Sequence, residues 1–431
     1  MNQEKETDAL QSPRRGIFYG WWLTGIAAFV MVIGTVPIFQ GMTAWFVVLE
    51  QQFGWNRAQL SLAFSLTRAE GTVMGPVAGY LVDKVGPRRM VLSGLLVMGV
   101  GFLLFSRVNN LWQFYGAFVL ASMGAGFGTW LPMMTVLNHW FQKKRSLAMS
   151  LAMEGFALGG VFVIPVLAWS IDPEEPDRLG WRATAAIIGL GLILLAGPVS
   201  RLVRNRPEEY GEVPDGRRNS QLESEATGSN QGDQADGDYT WQEAVRTRAF
   251  WLITMGHAGT SIVVVTLTVH LGPMLTDQGY SLQMVAWVVS TYTAVGAVFT
   301  LIGGYIGDRV PIHLALFIFS IVQSVAVVIL LAADTVPSMF LFAVVMGVGF
   351  GGRAPMTTAI RGVYFGRRAF ASITGVSMIP MNVLMLAFPL FAGIMFDRVG
   401  DYMIPFSALA VTSFVGSTMF LLLGKPALKA G

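Results

Sequence analysis

The chain has 431 residues, of which 53% are hydrophobic and only 13% charged, with 49 glycines and a mean hydropathy of +0.56. Soluble globular chains carry about 25% charged residues and about 7% glycine, so these proportions exclude an ordinary soluble enzyme. The net charge of +3 is scattered, which argues against a nucleic-acid-binding module, and the absence of cysteine removes disulfides, thiolate zinc sites and cysteine nucleophiles.

A polar tail, residues 1–17, precedes a first apolar run that is too long for a signal peptide. A helix crosses the hydrocarbon core with about 20 mostly apolar residues. Six such runs follow in order, at 18–49, 58–82, 89–106, 110–138, 144–170 and 182–203. Residues 204–246 are the one long polar stretch and read as a flexible cytoplasmic linker, rich in Gly, Ser, Asp, Glu and Gln. Six more runs lie at 248–275, 282–307, 312–333, 336–363, 368–396 and 402–424, and residues 425–431 form a second tail. Continuous apolarity favours helices over the alternating strands of a barrel. The expected fold class is therefore an all-α membrane protein with twelve transmembrane helices in two six-helix bundles, 18–203 and 247–424.

Charge placement orients the spans. Of the 29 Lys and Arg, 22 fall on one set of connections, counting Arg361 in a loop with Arg367 and Arg368. Five fall on the other set, and only Arg68 and Arg353 lie inside spans. The positive-inside rule puts the richer side, with both tails and the linker, in the cytoplasm. The expected location is the bacterial inner (plasma) membrane.

The two halves are related. Gly124, Gly126, Phe127, Gly128, Pro132, Met133 and Thr135 of the fourth span match Gly347, Gly349, Phe350, Gly351, Pro355, Met356 and Thr358 of the tenth, at a constant offset of 223. Gly79 and Asp83 after the second span match Gly304 and Asp308 after the eighth. A parallel repeat of six plus six spans is a transporter architecture.

GYLVDKVGPRR at 79–89 resembles the conserved loop of the major facilitator superfamily, and GGYIGDR at 303–309 its degenerate second copy. Within the superfamily, YGWW at 19–22, EQQFGWNRAQLS at 50–61, NHWFQKKRSLAMSLA at 138–152, LGWR at 179–182 and FWLITMGHA at 250–258 resemble the monocarboxylate porter and oxalate–formate antiporter branch. The resemblance implies a carrier with helices 1, 4, 7 and 10 lining a central cavity. It also implies a gating charge network of Asp83, Arg88, Arg89, Asp308 and Arg309 on the cytoplasmic side. Two departures stand out: Gln40 occupies the place of a lysine found in animal members, and the eighth span carries no basic residue.

A charge at mid-bilayer costs about 2.5 kcal/mol or more and must face a cavity or a partner. Arg353 stands where the repeat has Trp130. A guanidinium there can grip a carboxylate with two parallel hydrogen bonds, and the alternative is a structural ion pair with Glu154 or Glu70. Arg68 is a possible second anion contact. It and Glu70 diverge by roughly 200° around their helix at 100° per residue, so they serve different faces. Glu70 and Glu154 are candidate proton carriers, since burial favours a neutral carboxyl. His257 and His270 point to different faces of the seventh span and lack the carboxylates of a metal site. Each is a candidate substrate contact or an ordinary interhelical hydrogen-bonder. Gln40, Tyr292 and Asn382 are further candidates with the same alternative.

No GxxxxGK[ST] loop is present, so an ATP-driven pump is not indicated. The leading expectation is a secondary carrier of a small organic anion, a mono- or dicarboxylate, coupled to protons or by exchange against a counter-anion. It requires the lipid bilayer and neither cofactor, metal nor nucleic acid, and the fold needs no second copy to form a pathway. The rivals are a proton-coupled efflux carrier for a lipophilic cationic or neutral compound and a carrier-shaped sensor that moves nothing.

Overall fold

The computed structural model describes residues 18–55, 57–171, 178–215, 238–280 and 282–424. Both tails and residues 216–237 of the linker lie outside them. Among the described residues there is no strand, and twelve long helices run in sequence. The first, α1, consists of Tyr19–Thr35 and Met42–Phe53 joined by a π turn, Val36–Gln40; then come α2 (Arg57–Val85) and α3 (Pro87–Phe105). The fourth, α4, consists of Leu111–Gly128 and Trp130–Trp140, followed by α5 (Arg145–Ile171) and α6 (Gly180–Leu202). Beyond the linker are α7 (Arg248–Asp277), α8 (Leu282–Gly307), α9 (Ile312–Leu331), α10 (Val336–Phe365), α11 (Phe370–Val399) and α12 (Met403–Leu421).

All of these except α2 meet the length and apolarity needed to cross a membrane. The shortfall in α2 comes from the charged residues it carries, Arg57, Arg68, Glu70, Asp83 and Lys84.

The breaks in α1 and α4 each lie beside a proline. Pro37 cannot donate a backbone N–H, and its own carbonyl is taken by Trp45 Nε1 at 2.9 Å across the π turn. Pro132 leaves the carbonyl of Gly128 without its helical partner, and α4 breaks at Thr129.

Helices α1–α6 pack chiefly among themselves, and so do α7–α12. Between the two sets, α2 packs along α11 and α5 along α8 and α10. The Trp130–Trp140 segment of α4 also meets α10 and α11. Neither Leu111–Gly128 of α4 nor Met42–Phe53 of α1 makes an extended contact with the second set among the described residues. The halves are thus sealed on the face that carries the linker and separate toward the other face.

That seal is made of small residues and helix ends. Gly79 of α2 lies against the Ala371 carbonyl, and Gly304 of α8 lies against Ser150 of α5. Any side chain at Gly79 would collide with backbone. One turn beyond, the Asp83 carboxylate accepts from the backbone N–H of Ala371 (3.3 Å) and Ser372 (2.7 Å) at the start of α11. Asp308 likewise accepts from Ser146 (2.8 Å) and Leu147 (2.9 Å) at the start of α5. Each aspartate therefore caps a helix N-terminus of the opposite half, where orphan N–H groups and the helix dipole favour negative charge.

The sequence suggested that these aspartates pair with Arg88, Arg89 and Arg309. Among the described residues no ion pair joins them. Arg88 offers its backbone N–H to Asn205 Oδ1 at 2.9 Å, Arg89 is exposed, and Arg309 stacks on the Tyr305 ring at 3.4 Å.

The described ends of the linker are held to this face. Asp215 accepts from the backbone N–H groups of Gln142, Lys143 and Lys144 before α5. Asp238 accepts from those of Arg367 and Arg368 before α11. Glu208 pairs with Arg367 at 2.5 Å. Burial pushes the Glu208 carboxyl up, but the hydrogen bond and charge of Arg367 outweigh it and hold the group below its usual range.

Two outcomes test the seal. Spin labels on Lys84→Cys and Val310→Cys straddle it in a chain with no native cysteine. Gly79→Leu is overpacked by about 1–3 kcal/mol, so the label distance should lengthen, with the open population raised about 5- to 150-fold. An unchanged distribution would contradict the packing. The second outcome concerns Asp308, whose carboxyl is raised by burial against the opposing effect of its two backbone donors. A carboxyl raised on closure binds its proton more tightly in the closed form. The seal should therefore strengthen as pH falls through the interval above the ordinary carboxylate value, and weaken as pH rises through it. Asp308→Asn should flatten that response.

Candidate functional site

Helix α10 is fixed at both ends. Thr335 and Ser338 form a reciprocal capping box at its start, and Gly366, at φ +82°, stops it. Between them Arg353 and Arg361 lie eight residues apart, which leaves them about 80° apart around the helix and about 12 Å along it. Both side chains are inside the protein, at 2% and 3% exposure.

Arg353 turns toward α9 and α7. Its Nε donates to Gln323 Oε1, and its Nη2 donates to the Thr260 carbonyl at 3.2 Å. Gln323 Nε2 donates to the same carbonyl at 2.8 Å. Gly349 permits this, because a Cβ there would run into the backbone of Gln323. The alternative, an ion pair between Arg353 and Glu154 or Glu70, is not formed among the described residues; the partners of Arg353 there are neutral.

Arg361 had been counted with the loop cations. In the fold, α10 continues to Phe365, and Arg361 lies a full turn inside its end. Its Nε donates to Ser377 Oγ of α11 at 3.0 Å, Nη1 to the Thr357 carbonyl at 2.6 Å, and Nη2 to His257 Nδ1 of α7 at 3.2 Å. Those bonds occupy three of the five guanidinium N–H groups. The next residue, Gly362, lies against the Asn138 side chain of α4, so Arg361 sits at the inner edge of the seal between the halves. Two buried guanidiniums therefore share one helix with a histidine beside them. Among the described residues neither has an acid within ion-pair distance.

His257 is half-buried, on a stripe with Ser261 and Thr268. His270 is 9% exposed, and both its nitrogens are engaged, with the Tyr402 hydroxyl (3.3 Å) and the Pro389 carbonyl (2.9 Å). It ties α7 to α11 and α12, and does not join the arginine cluster. Gln40 Nε2 donates to the Phe156 carbonyl of α5 at 3.0 Å. Tyr292 packs into the apolar core of the second half, and Asn382 is half-buried in α11.

The two carboxyls differ. Glu70 is half-buried and accepts from Ser122 Oγ of α4 at 3.4 Å. Glu154 continues the stripe of Ser146 and Ser150, the α5 face that meets α8, and has no hydrogen-bond partner among the described residues. The side chain of Arg68 lies outside the described residues. No group of three His, Asp or Glu suited to a metal ion occurs among the described residues.

The comparisons with known proteins agree with the architecture. The model of the Major Facilitator Superfamily matches residues 22–331 and 256–430. The chain is 24% identical to Monocarboxylate transporter 2 of Mesocricetus auratus, over 94% of this chain and 84% of that protein. It is 25% identical to Monocarboxylate transporter 13 of Rattus norvegicus, over 94% and 87%. A partial match, 26% identical over 42% of this chain and 43% of the other, is to the Oxalate:formate antiporter of Oxalobacter formigenes. Among solved structures, the chain resembles the superfamily transporter FucP in its outward conformation, with a TM-score of 0.65 at 15% identity, covering 93% of this chain and 98% of that one. With the repeat, the twelve helices and the family match in agreement, the chain belongs to the Major Facilitator Superfamily of membrane transporters.

Proposed function

We propose that the protein is a secondary carrier that moves a small organic anion, a mono- or dicarboxylate, by alternating access, coupled to protons or by exchange. The linker face would be cytoplasmic, in agreement with its excess of Lys and Arg. The observation that carries the reading is the pair of buried guanidiniums, Arg353 and Arg361, satisfied only by neutral partners. Buried charge of one sign without a counter-charge is costly, and an anionic ligand is the natural complement. Names carried by relatives, monocarboxylate transporter and oxalate:formate antiporter, support the same substrate class.

Arg361 is the better contact of the two. It adjoins the seam between the halves, and its Nη2 is held by a neutral imidazole that a carboxylate can displace, whereas Arg353 is wedged between α9 and α7 and adds positive potential behind it. The substrate would enter between the halves on the open face and reach Arg361 above the seal. Asp83 and Asp308 would release the N-termini of α11 and α5 when the halves rock.

A second reading rests on Glu154. A half-buried carboxyl with no hydrogen-bond partner among the described residues, on the face of α5 that meets the other half, suits a proton-coupled carrier of a lipophilic cation.

Uptake of labelled lactate, pyruvate and oxalate into proteoliposomes separates the two. The anion reading expects uptake in the wild type and at least tenfold loss in Arg361→Gln, in line with about 1.5–3 kcal/mol for a hydrogen bond to a charged group. Arg353→Gln should lower the thermal midpoint more than it lowers uptake. Uptake of no anion, together with a lipophilic cation flux abolished by Glu154→Gln, would replace the anion reading by the second.

A further inference from the structure

We propose that His257 and Arg361 form a dyad that takes up one proton together with each carboxylate it binds. This rests on the anion reading above and deepens it by assigning the coupling to named atoms. A guanidinium has only donors. The 3.2 Å contact from Arg361 Nη2 to His257 Nδ1 therefore requires the Nδ1 lone pair, and the imidazole is neutral with its proton on Nε2. In the ligand-free site, a proton on Nδ1 would break that bond and set two cations side by side.

A carboxylate reverses the balance. One oxygen takes a guanidinium N–H of Arg361 and draws Nη2 off the imidazole. The freed Nδ1 is then a buried acceptor without a donor, unless it binds a proton and donates to the second carboxylate oxygen. The anion raises the proton affinity of His257, and by linkage the proton raises the affinity for the anion by the same factor. Neither covalent bonds nor electrons change. One proton and one negative charge enter together, and the net charge of the site stays as it was.

Among the described residues, no rival acid lies beside the dyad. The cations acting on His257 are Arg361 and Arg353, both from α10. The part of α11 that packs there offers Ser377 and no charge, and its only ionisable residues, Asp397 and Arg398, lie at its other end. Helix α12 carries no ionisable residue, α9 only His313 at its linker-side start, and α8 only Tyr292 and Tyr305. The short linker helix Trp241–Val245, packed on the start of α7, brings Glu243, which is occupied as a helix cap, and Arg246 follows it.

The test uses the full-length protein in detergent, with lactate, pyruvate and oxalate as probes. Anion binding should strengthen about tenfold for each unit that pH falls above the half-point of His257, and about one proton should be taken up per anion in weakly buffered solution. His257→Gln can still accept from Arg361 through its amide oxygen. It should bind the anion with no pH slope and no proton uptake, and it should exchange anion for anion without accumulating it on a proton gradient. The proton-uptake count on the wild type needs no variant and stands if His257→Gln does not fold. An unaltered pH slope in His257→Gln, or no proton taken up by the wild type on anion binding, overturns the dyad while leaving anion transport standing. Binding of none of the probes at any pH overturns the anion reading and the dyad with it.

Discussion

A guanidinium in the apolar interior of a helix bundle keeps its charge only if neutral oxygens and dipoles replace the water it has lost, and the second half of this protein is arranged around that requirement. The alternative of leaving it unpaired costs several kcal/mol per ion. Arg353 is met by an amide of α9 and a carbonyl of α7, and Arg361 by a hydroxyl of α11, a carbonyl of its own helix and an imidazole of α7. Three other helices thus converge on α10. None of these partners cancels charge. The solvation is dipolar and the net positive potential survives, which is the property a site for an anion needs.

The seal on the linker face uses the complementary device. Asp83 and Asp308 supply negative charge to helix N-termini of the opposite half, so each half carries one acid and one receiving helix end. Such a contact is made by one carboxylate and a few backbone N–H groups, with small residues behind it. It is worth less than a packed apolar interface and can be released as a unit. The linker adds a second layer: Asp215 and Asp238 hold the loops just before the same two helix ends. Glu208, on the linker end that follows α6, also pairs with Arg367 of the second half, so a motion that parts the halves acts on the linker as well.

Much of this fold was legible in the sequence because the membrane makes it so. Twelve apolar runs, a polar interruption after the sixth and a repeated glycine pattern leave few architectures in which all backbone groups are satisfied. The site was legible only in part. Arg353 stood out because a charge inside a span is conspicuous, but the only protein partners the sequence offered for it were Glu154 and Glu70, and Gln323, a neutral residue one helix away, gives no signal in a single sequence. Arg361 was missed for the opposite reason. It lies a few residues from Arg367 and Arg368, and a rule that counts cations by loop absorbed it. The signal that could have found it is Gly366, the natural end of the helix, five residues later. Likewise Arg88 and Arg89 drew attention because they follow Asp83 in sequence, while the groups that bond Asp83 are nearly 290 positions away.

The position of Arg361 joins the two devices. It is followed by Gly362, which lies against Asn138 of the first half, and is bonded to Ser377, five residues beyond the Ser372 that donates to Asp83. The charge that would receive an anion is therefore fixed to the same short stretch of α10 and α11 that forms the seal. Ligand bound at Arg361 draws on bonds that hold this stretch in place, and loss of the seal moves the groups that solvate Arg361. Binding and gating then share side chains, with no relay of intermediate residues needed between them. Coupling of that kind is mechanically short: an anion that replaces His257 as the partner of Arg361 alters the contact between α7 and α10 directly, one turn from where the halves part.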